Sequence, residues 1–156
     1  MGTKDRESLI PALLPWVTGP GPRIEKLRKI AAAIRARGGY RWVGLYDIDR
    51  SRGLVRNLVW DGPDAPAYPE FPIIKGLTGV AVAERRTVNV PDVREDPRYL
   101  TALSTTRSEI IVPIFSGQNL EVVGTIDVES EMPGAFGPEE QRALESCAAA
   151  IQPLWR

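Results

Sequence analysis

The chain has 156 residues, enough for one domain with its own core. Its 20 Lys and Arg cancel its 20 Asp and Glu, so no net field draws it to nucleic acid or to an anionic membrane. It carries no histidine and a single cysteine, which excludes a Ser-His-Asp triad, a Cys-His pair, His-ligated zinc or haem, a multi-thiolate metal site and an internal disulfide.

A carboxylate-only Mg²⁺ or Ca²⁺ site stays conceivable, but no EF-hand spacing is present, and no cofactor is expected. The apolar stretch Leu9–Pro15 is short, interrupted by proline and without a cleavage-site pattern, so it does not read as a signal peptide. No apolar run approaches the roughly 20 residues of a spanning helix. A cytoplasmic location is the expectation.

The Pro/Gly cluster Thr18–Pro22 sets an N-terminal segment, 1–22, apart from a single domain over 23–156. Ile24, Leu27, Ile30, Ala31 and Ile34 recur at helical spacing until Gly38-Gly39 ends the run. Between them lie Arg23, Lys26, Arg28, Lys29, Arg35 and Arg37, either a solvated helix face or a surface for an anionic partner. Tyr40–Ile48 reads as a strand with Trp42, Gly44 and Tyr46 on one face. After the turn Asp49–Gly53, Leu54–Trp60 reads as the return strand. Asp61–Pro69 is a loop, Phe71–Ile74 a short apolar run and Gly76–Arg86 a short helix. Thr87–Val90 reads as a short strand and Pro91–Pro97 as a polar loop.

Two β-branched runs, Arg107–Pro113 and Val122–Glu129, flank Ser116-Gly117-Gln118-Asn119 and predict a hairpin. A last helix starts at Gly137-Pro138-Glu139-Glu140, with proline in the first turn and acids facing the helix dipole. Its apolar stripe is Leu144, Cys147, Ala148 and Ile151, which favours Cys147 as a packing thiol over a redox or chromophore-attachment site. The expected fold is α+β: a central antiparallel sheet, the two long helices on one face, and residues 61–108 covering the other face around a small-molecule pocket.

Acids interrupt the apolar alternation of the hairpin at Glu109, Asp127 and Glu129. A carboxylate beside a buried strand is costly unless it is paired. These three are therefore solvated at strand ends, paired with Arg107, or lining a polar pocket. Asp127 and Glu129 share a face, and Glu109 joins them only if the paired positions of the hairpin sum to an even number. Converging acids would raise at least one pKa. A protonated carboxyl would then donate to a ligand oxygen, whereas ionised acids would suit an ammonium group. Trp42 and Tyr46 are either a pocket wall or ordinary sheet core. Gly76-Leu77-Thr78-Gly79 opens a helix whose free amides and Thr78 hydroxyl suit an anion, although the glycines equally serve a tight turn.

The ordered segments Trp42–Tyr46, Ile74–Gly79, Val88–Asp92, Arg107–Pro113, Val123–Ser130 and Phe136–Glu140 resemble a GAF domain over roughly residues 24–152. Within GAF domains the chain is most similar to the free methionine-(R)-sulfoxide reductases. That resemblance implies a pocket in which Glu109, Asp127 and Glu129 hold the polar end of a ligand. It also places the family's redox cysteines at Tyr68, Thr78 and Ala102, none of which is a thiol.

A hydroxyl cannot form the sulfur–sulfur bond that carries the electrons. The reading is a small-molecule sensor without redox catalysis, with Glu109, Asp127, Glu129, Trp42, Tyr46 and Thr78 as ligand-binding residues. The expected ligand is amino-acid-like or a small anion. The expected partners are a second copy, docked through helices 23–37 and 137–152, or a separate signalling protein. The alternatives are a reductase-like enzyme and a structural or dimerisation module with a vestigial pocket.

Overall fold

The computed structural model describes residues 9–100 and 103–155. In chain order its elements are α1 (Leu9–Thr18), α2 (Arg23–Gly38), β1 (Trp42–Asp49), β2 (Leu54–Asp61), β3 (Glu70–Pro72), α3 (Gly76–Glu84), β4 (Val88–Val90), β5 (Ser108–Phe115), β6 (Val122–Ser130) and α4 (Pro138–Ile151). Short 3-10 turns follow β4 and α4. The strands form one sheet in the order β3-β2-β1-β6-β5-β4, and every neighbouring pair is antiparallel. This is the α+β architecture that the hydrophobic periods predict.

The sheet has two differently built faces. Val43, Leu45, Ile110, Val112, Ile114, Ile126 and Val128 alternate onto one face. There they meet Leu27, Ile30 and Ile34 of α2 and Leu144, Cys147 and Ile151 of α4 in one large core. On the opposite face, Ile111 packs with Leu77 and Ala81 of α3 and with Val88, Val90 and Val93. Beside them Trp42, Tyr46, Val55 and Leu103 form a second small cluster.

One element was not visible in the sequence pattern. Leu9–Thr18 is a helix although Pro15 lies inside it. Its Leu9, Leu13 and Val17, four residues apart, are buried. They join the large core, and α1 packs against both α2 and α4, bridging them. Burial of that stripe offsets the backbone hydrogen bond that Pro15 removes.

Because Leu13 is fully buried whereas Leu14 is 44% exposed, the two neighbours separate docking of α1 from mere helix content. Leu13→Ala should cost about 2–5 kcal/mol, and Leu14→Ala should stay within roughly 0.5 kcal/mol. Urea denaturation of both variants measures this. Equal effects would mean that α1 is not part of the folding unit.

Candidate functional site

The hairpin register brings the acids together. Glu109 of β5 stands opposite Glu129 of β6, and Ile111 opposite Asp127. On the other side of β6, Trp42, Gly44 and Tyr46 of β1 stand opposite Glu129, Asp127 and Thr125. All of these side chains share the face away from the large core. Gly44 lets the Trp42 and Tyr46 rings lie over the strand opposite Asp127, since a Cβ there would collide with the Trp42 ring and come within 2.9 Å of the Tyr46 ring.

Glu109, Asp127 and Glu129 are 4%, 5% and 0% exposed, so the reading of solvated strand ends is corrected. Pairing with Arg107 is corrected too, because Arg107 sits before β5 and its guanidinium reaches Asp92 at 3.3 Å instead. Among the described residues no Lys or Arg forms an ion pair with the three acids. The Tyr99 hydroxyl donates to Glu129 Oε1 at 2.9 Å. Glu109 Oε2, Asp127 Oδ1, Glu129 Oε2 and the Thr125 hydroxyl are buried without a hydrogen-bond partner.

Burial pushes all three carboxyls up. Glu109 lies well above the usual carboxylate range through burial and then the charges of Asp127 and Glu129. Burial lifts Asp127 to about 7. Burial and then the charge of Asp127 lift Glu129 to about 9. The Tyr46 and Tyr99 phenols are raised by burial and then by the same carboxylates. The cluster is a proton-sharing acid site rather than three fixed charges.

Glu109 and Asp127 face a small cavity whose walls include Tyr46, Tyr68, Phe71, Leu77, Thr78 and Leu100. Its volume is about 20 Å³, room for about one water molecule. Of the six residues expected at the site, Glu109, Asp127, Tyr46 and Thr78 line this cavity. Glu129 stands one pleat behind it, tied to Tyr99. Trp42 is buried beside it and anchors the 61–69 loop, its Nε1 donating to the Asp64 carbonyl at 3.0 Å.

Thr78 lies in the first turn of α3, where Lys75 at the cap makes no side-chain hydrogen bond to the helix amides. Gly76, at φ +69, takes a left-handed turn there, and a Cβ would press on Leu100 at 3.0 Å.

Phe71, Leu77, Tyr99 and Leu100 were not singled out from the sequence. Phe71 and Leu77 read only as apolar residues, and Tyr99 and Leu100 follow a loop without periodicity. Two of the positions where the resemblance places thiols, Tyr68 and Thr78, do line the cavity. Ala102, the third, lies outside the described residues. Cys147 is on the far side of the sheet in the α4 core, fully buried, with its thiol pushed up to about 12. A broader cleft of about 600 Å³ between β5 and α4 is lined by Arg85, Val112, Phe115 and Ala148, but it gathers no buried acid.

Comparison with known proteins places this geometry. The GAF domain family model matches residues 22–152. GAF domain-containing protein A of Dictyostelium discoideum is 29% identical over 145 residues, covering 92% of this chain and 89% of that protein. The free methionine-R-sulfoxide reductase of Saccharomyces cerevisiae is 34% identical over 77 residues, 49% of this chain and 42% of the reductase. The X-ray structure of free methionine-R-sulfoxide reductase from Neisseria meningitidis, solved with its substrate, matches with a TM-score of 0.88 at 27% identity, over 99% of this chain and 91% of that one. This chain belongs to the GAF domain family and is closely related to the free methionine-R-sulfoxide reductases.

Proposed function

We propose that this GAF domain is a receptor for a small polar molecule, held between the acid cluster and the start of α3, and that it performs no redox catalysis. The observation that carries this reading is the set of buried carboxyl oxygens without partners, two of which belong to the cavity residues Glu109 and Asp127. Buried polar atoms are rarely left unpaired, and each such atom costs on the order of 1–3 kcal/mol. A ligand that donates hydrogen bonds offsets that cost on binding.

Sulfoxide reduction by thiols needs one thiolate to attack sulfur and a second to resolve the intermediate. Tyr68 and Thr78 bring hydroxyls to the cavity, and Cys147 is separated from it by the sheet. Of the two expected ligand classes, the cluster favours an amino-acid-like molecule over a small anion, which the Asp127 carboxylate would repel. The uncapped start of α3 beside Thr78 suits a ligand carboxylate.

The receptor would act in the cytoplasm and signal across a homodimer through α2 and α4, or to a separate signalling protein. The basic face of α2 is partly neutralised within the chain: Arg23 meets Asp47 at 2.9 Å and Arg35 meets Asp61 at 3.3 Å. This supports a solvated face. Among the described residues no helix is long and apolar enough to cross a membrane.

A thermal-shift panel of methionine, both methionine sulfoxide epimers, other free amino acids, nitrate and cyclic nucleotides tests the receptor. A ligand present at about 100 times its Kd should add roughly 2.7 kcal/mol, at on the order of 2–4 °C per kcal/mol. Asp127→Asn should remove the shift while the variant stays folded, and a flat panel with every class would sink the reading. In parallel, free methionine sulfoxide supplied with a thioredoxin system should give no turnover; turnover would make the chain an enzyme.

The acids also set a pH dependence without ligand. A carboxyl whose folded pKa is raised holds its proton better in the native state, so stability falls as pH rises above the unfolded value. That loss should start near pH 4, at the ordinary carboxyl pKa. It should run through about 7 for Asp127 and about 9 for Glu129. Urea midpoints between pH 4 and 9 should therefore decline, and Asp127→Asn should flatten the slope. A wild-type midpoint that rises across this range would contradict the buried-acid assignment.

A further inference from the structure

The geometry points to a primary ammonium group as the ligand head that enters this cavity, held by Glu109, Asp127 and Thr78. The inference rests on the receptor reading of the same pocket and names the chemistry that the pocket selects. It takes the ionised-acid alternative over the one in which a protonated carboxyl donates to a ligand oxygen.

Size is the first argument. The cavity, about 20 Å³, takes one water-sized group. An ammonium is that size, whereas a guanidinium, a carboxylate or a sulfoxide with its two carbons is several heavy atoms across. Hydrogen-bond polarity is the second. The unpartnered atoms of the two cavity acids are oxygens, Glu109 Oε2 and Asp127 Oδ1, and both residues are more than nine-tenths buried. An ammonium supplies three donors and no acceptor. Thr78, 5% exposed and on the same cavity wall, adds a hydroxyl oxygen.

Charge is the third argument. The groups around Asp127 and Glu129 are Glu109 from β5, Tyr46 from β1, Tyr68 from the loop at the cavity, and Tyr99, which reaches Glu129. None is cationic. Among the described residues no cluster of acids has the arrangement to hold a metal ion, and an organic cation is the positive group that would balance these acids once they ionise. Aromatic rings border the same space: Tyr46 and Phe71 pack edge-on with centroids 6.1 Å apart, and Tyr68 stands over it, 49% exposed. Ring faces around a desolvated ammonium add cation–π attraction. The half-exposed Tyr68 marks the side on which the tail of the amine leaves for solvent.

Binding a cation also demands ionised acids. Each carboxyl that gives up a proton couples affinity to pH, by up to tenfold per pH unit for one proton released. An ammonium ligand therefore binds more tightly between pH 6 and pH 8. A ligand that accepts a hydrogen bond from a protonated carboxyl binds less tightly over the same interval.

The test is isothermal titration of the full chain with matched sets on propyl, 3-(methylthio)propyl and 2-phenylethyl tails, each ending in a primary amine, an alcohol or a carboxylate. Methyl propyl sulfoxide, which carries no amine, is titrated alongside. We expect at least one amine to bind ten times or more tightly than its alcohol and carboxylate, to tighten from pH 6 to pH 8, and to lose binding in Asp127→Asn. Equal binding of alcohol and amine, or binding that weakens with pH, overturns the ammonium assignment. Binding of methyl propyl sulfoxide alone keeps the receptor and overturns the amine. Silence from every compound, sulfoxide included, removes both.

Discussion

The two-residue period of β5 and β6 separates hydrocarbon from carboxyl groups across the thickness of a single backbone layer. Ile110, Val112, Ile126 and Val128 point to the helices, while Glu109, Asp127 and Glu129 point the other way. Every other feature of the site depends on this partition. The helices can pack without meeting a charge, and the acids can be desolvated without disturbing the helices. A shift of one residue in the pairing of these strands would place hydrocarbon and carboxyl groups on the wrong faces together.

The same partition divides labour between the two faces. The face toward α1, α2 and α4 buries the longer list of Leu, Ile and Val side chains and carries most of the hydrophobic stabilisation. The face toward α3 has only two small clusters, and its polar atoms are partly unsatisfied. Stability invested in one layer thus supports a chemically costly arrangement in the other. Trp42 joins the two tasks: its ring closes the aromatic cluster, and its Nε1 holds the loop that covers the site.

The parts of the fold readable from sequence were those with a clean period. The antiparallel strands, α2 and α4 followed from alternation at two and 3.6 residues, and the glycine at 76 marked the start of α3. Helix α1 was not readable, because Pro11 and Pro15 weigh against a helix and only its docking against α2 and α4 outweighs them. The acids were legible as exceptions to alternation. Their meeting was not, since pairing parity depends on the turn geometry and on the bulge between Ile114 and Phe115. Arg107 illustrates another limit: adjacency in sequence to Glu109 suggested a pair, but its side chain lies off the end of the strand with Asp92. Tyr99 and Leu100 reach the site from a stretch with no repeat to betray its path. Cavity size depends on how side chains from six separate segments close together, which no local pattern encodes.

The single thiol has a further consequence. Cys147 sits at the centre of the helical layer with no exposed surface, and its proton is held firmly by burial. A thiol reagent meets it only when that layer opens. The chain thus contains a native clock for its own opening: the rate at which a disulfide reagent modifies the protein reports how often the helices part from the sheet, with no label to introduce and no second cysteine to confuse the signal.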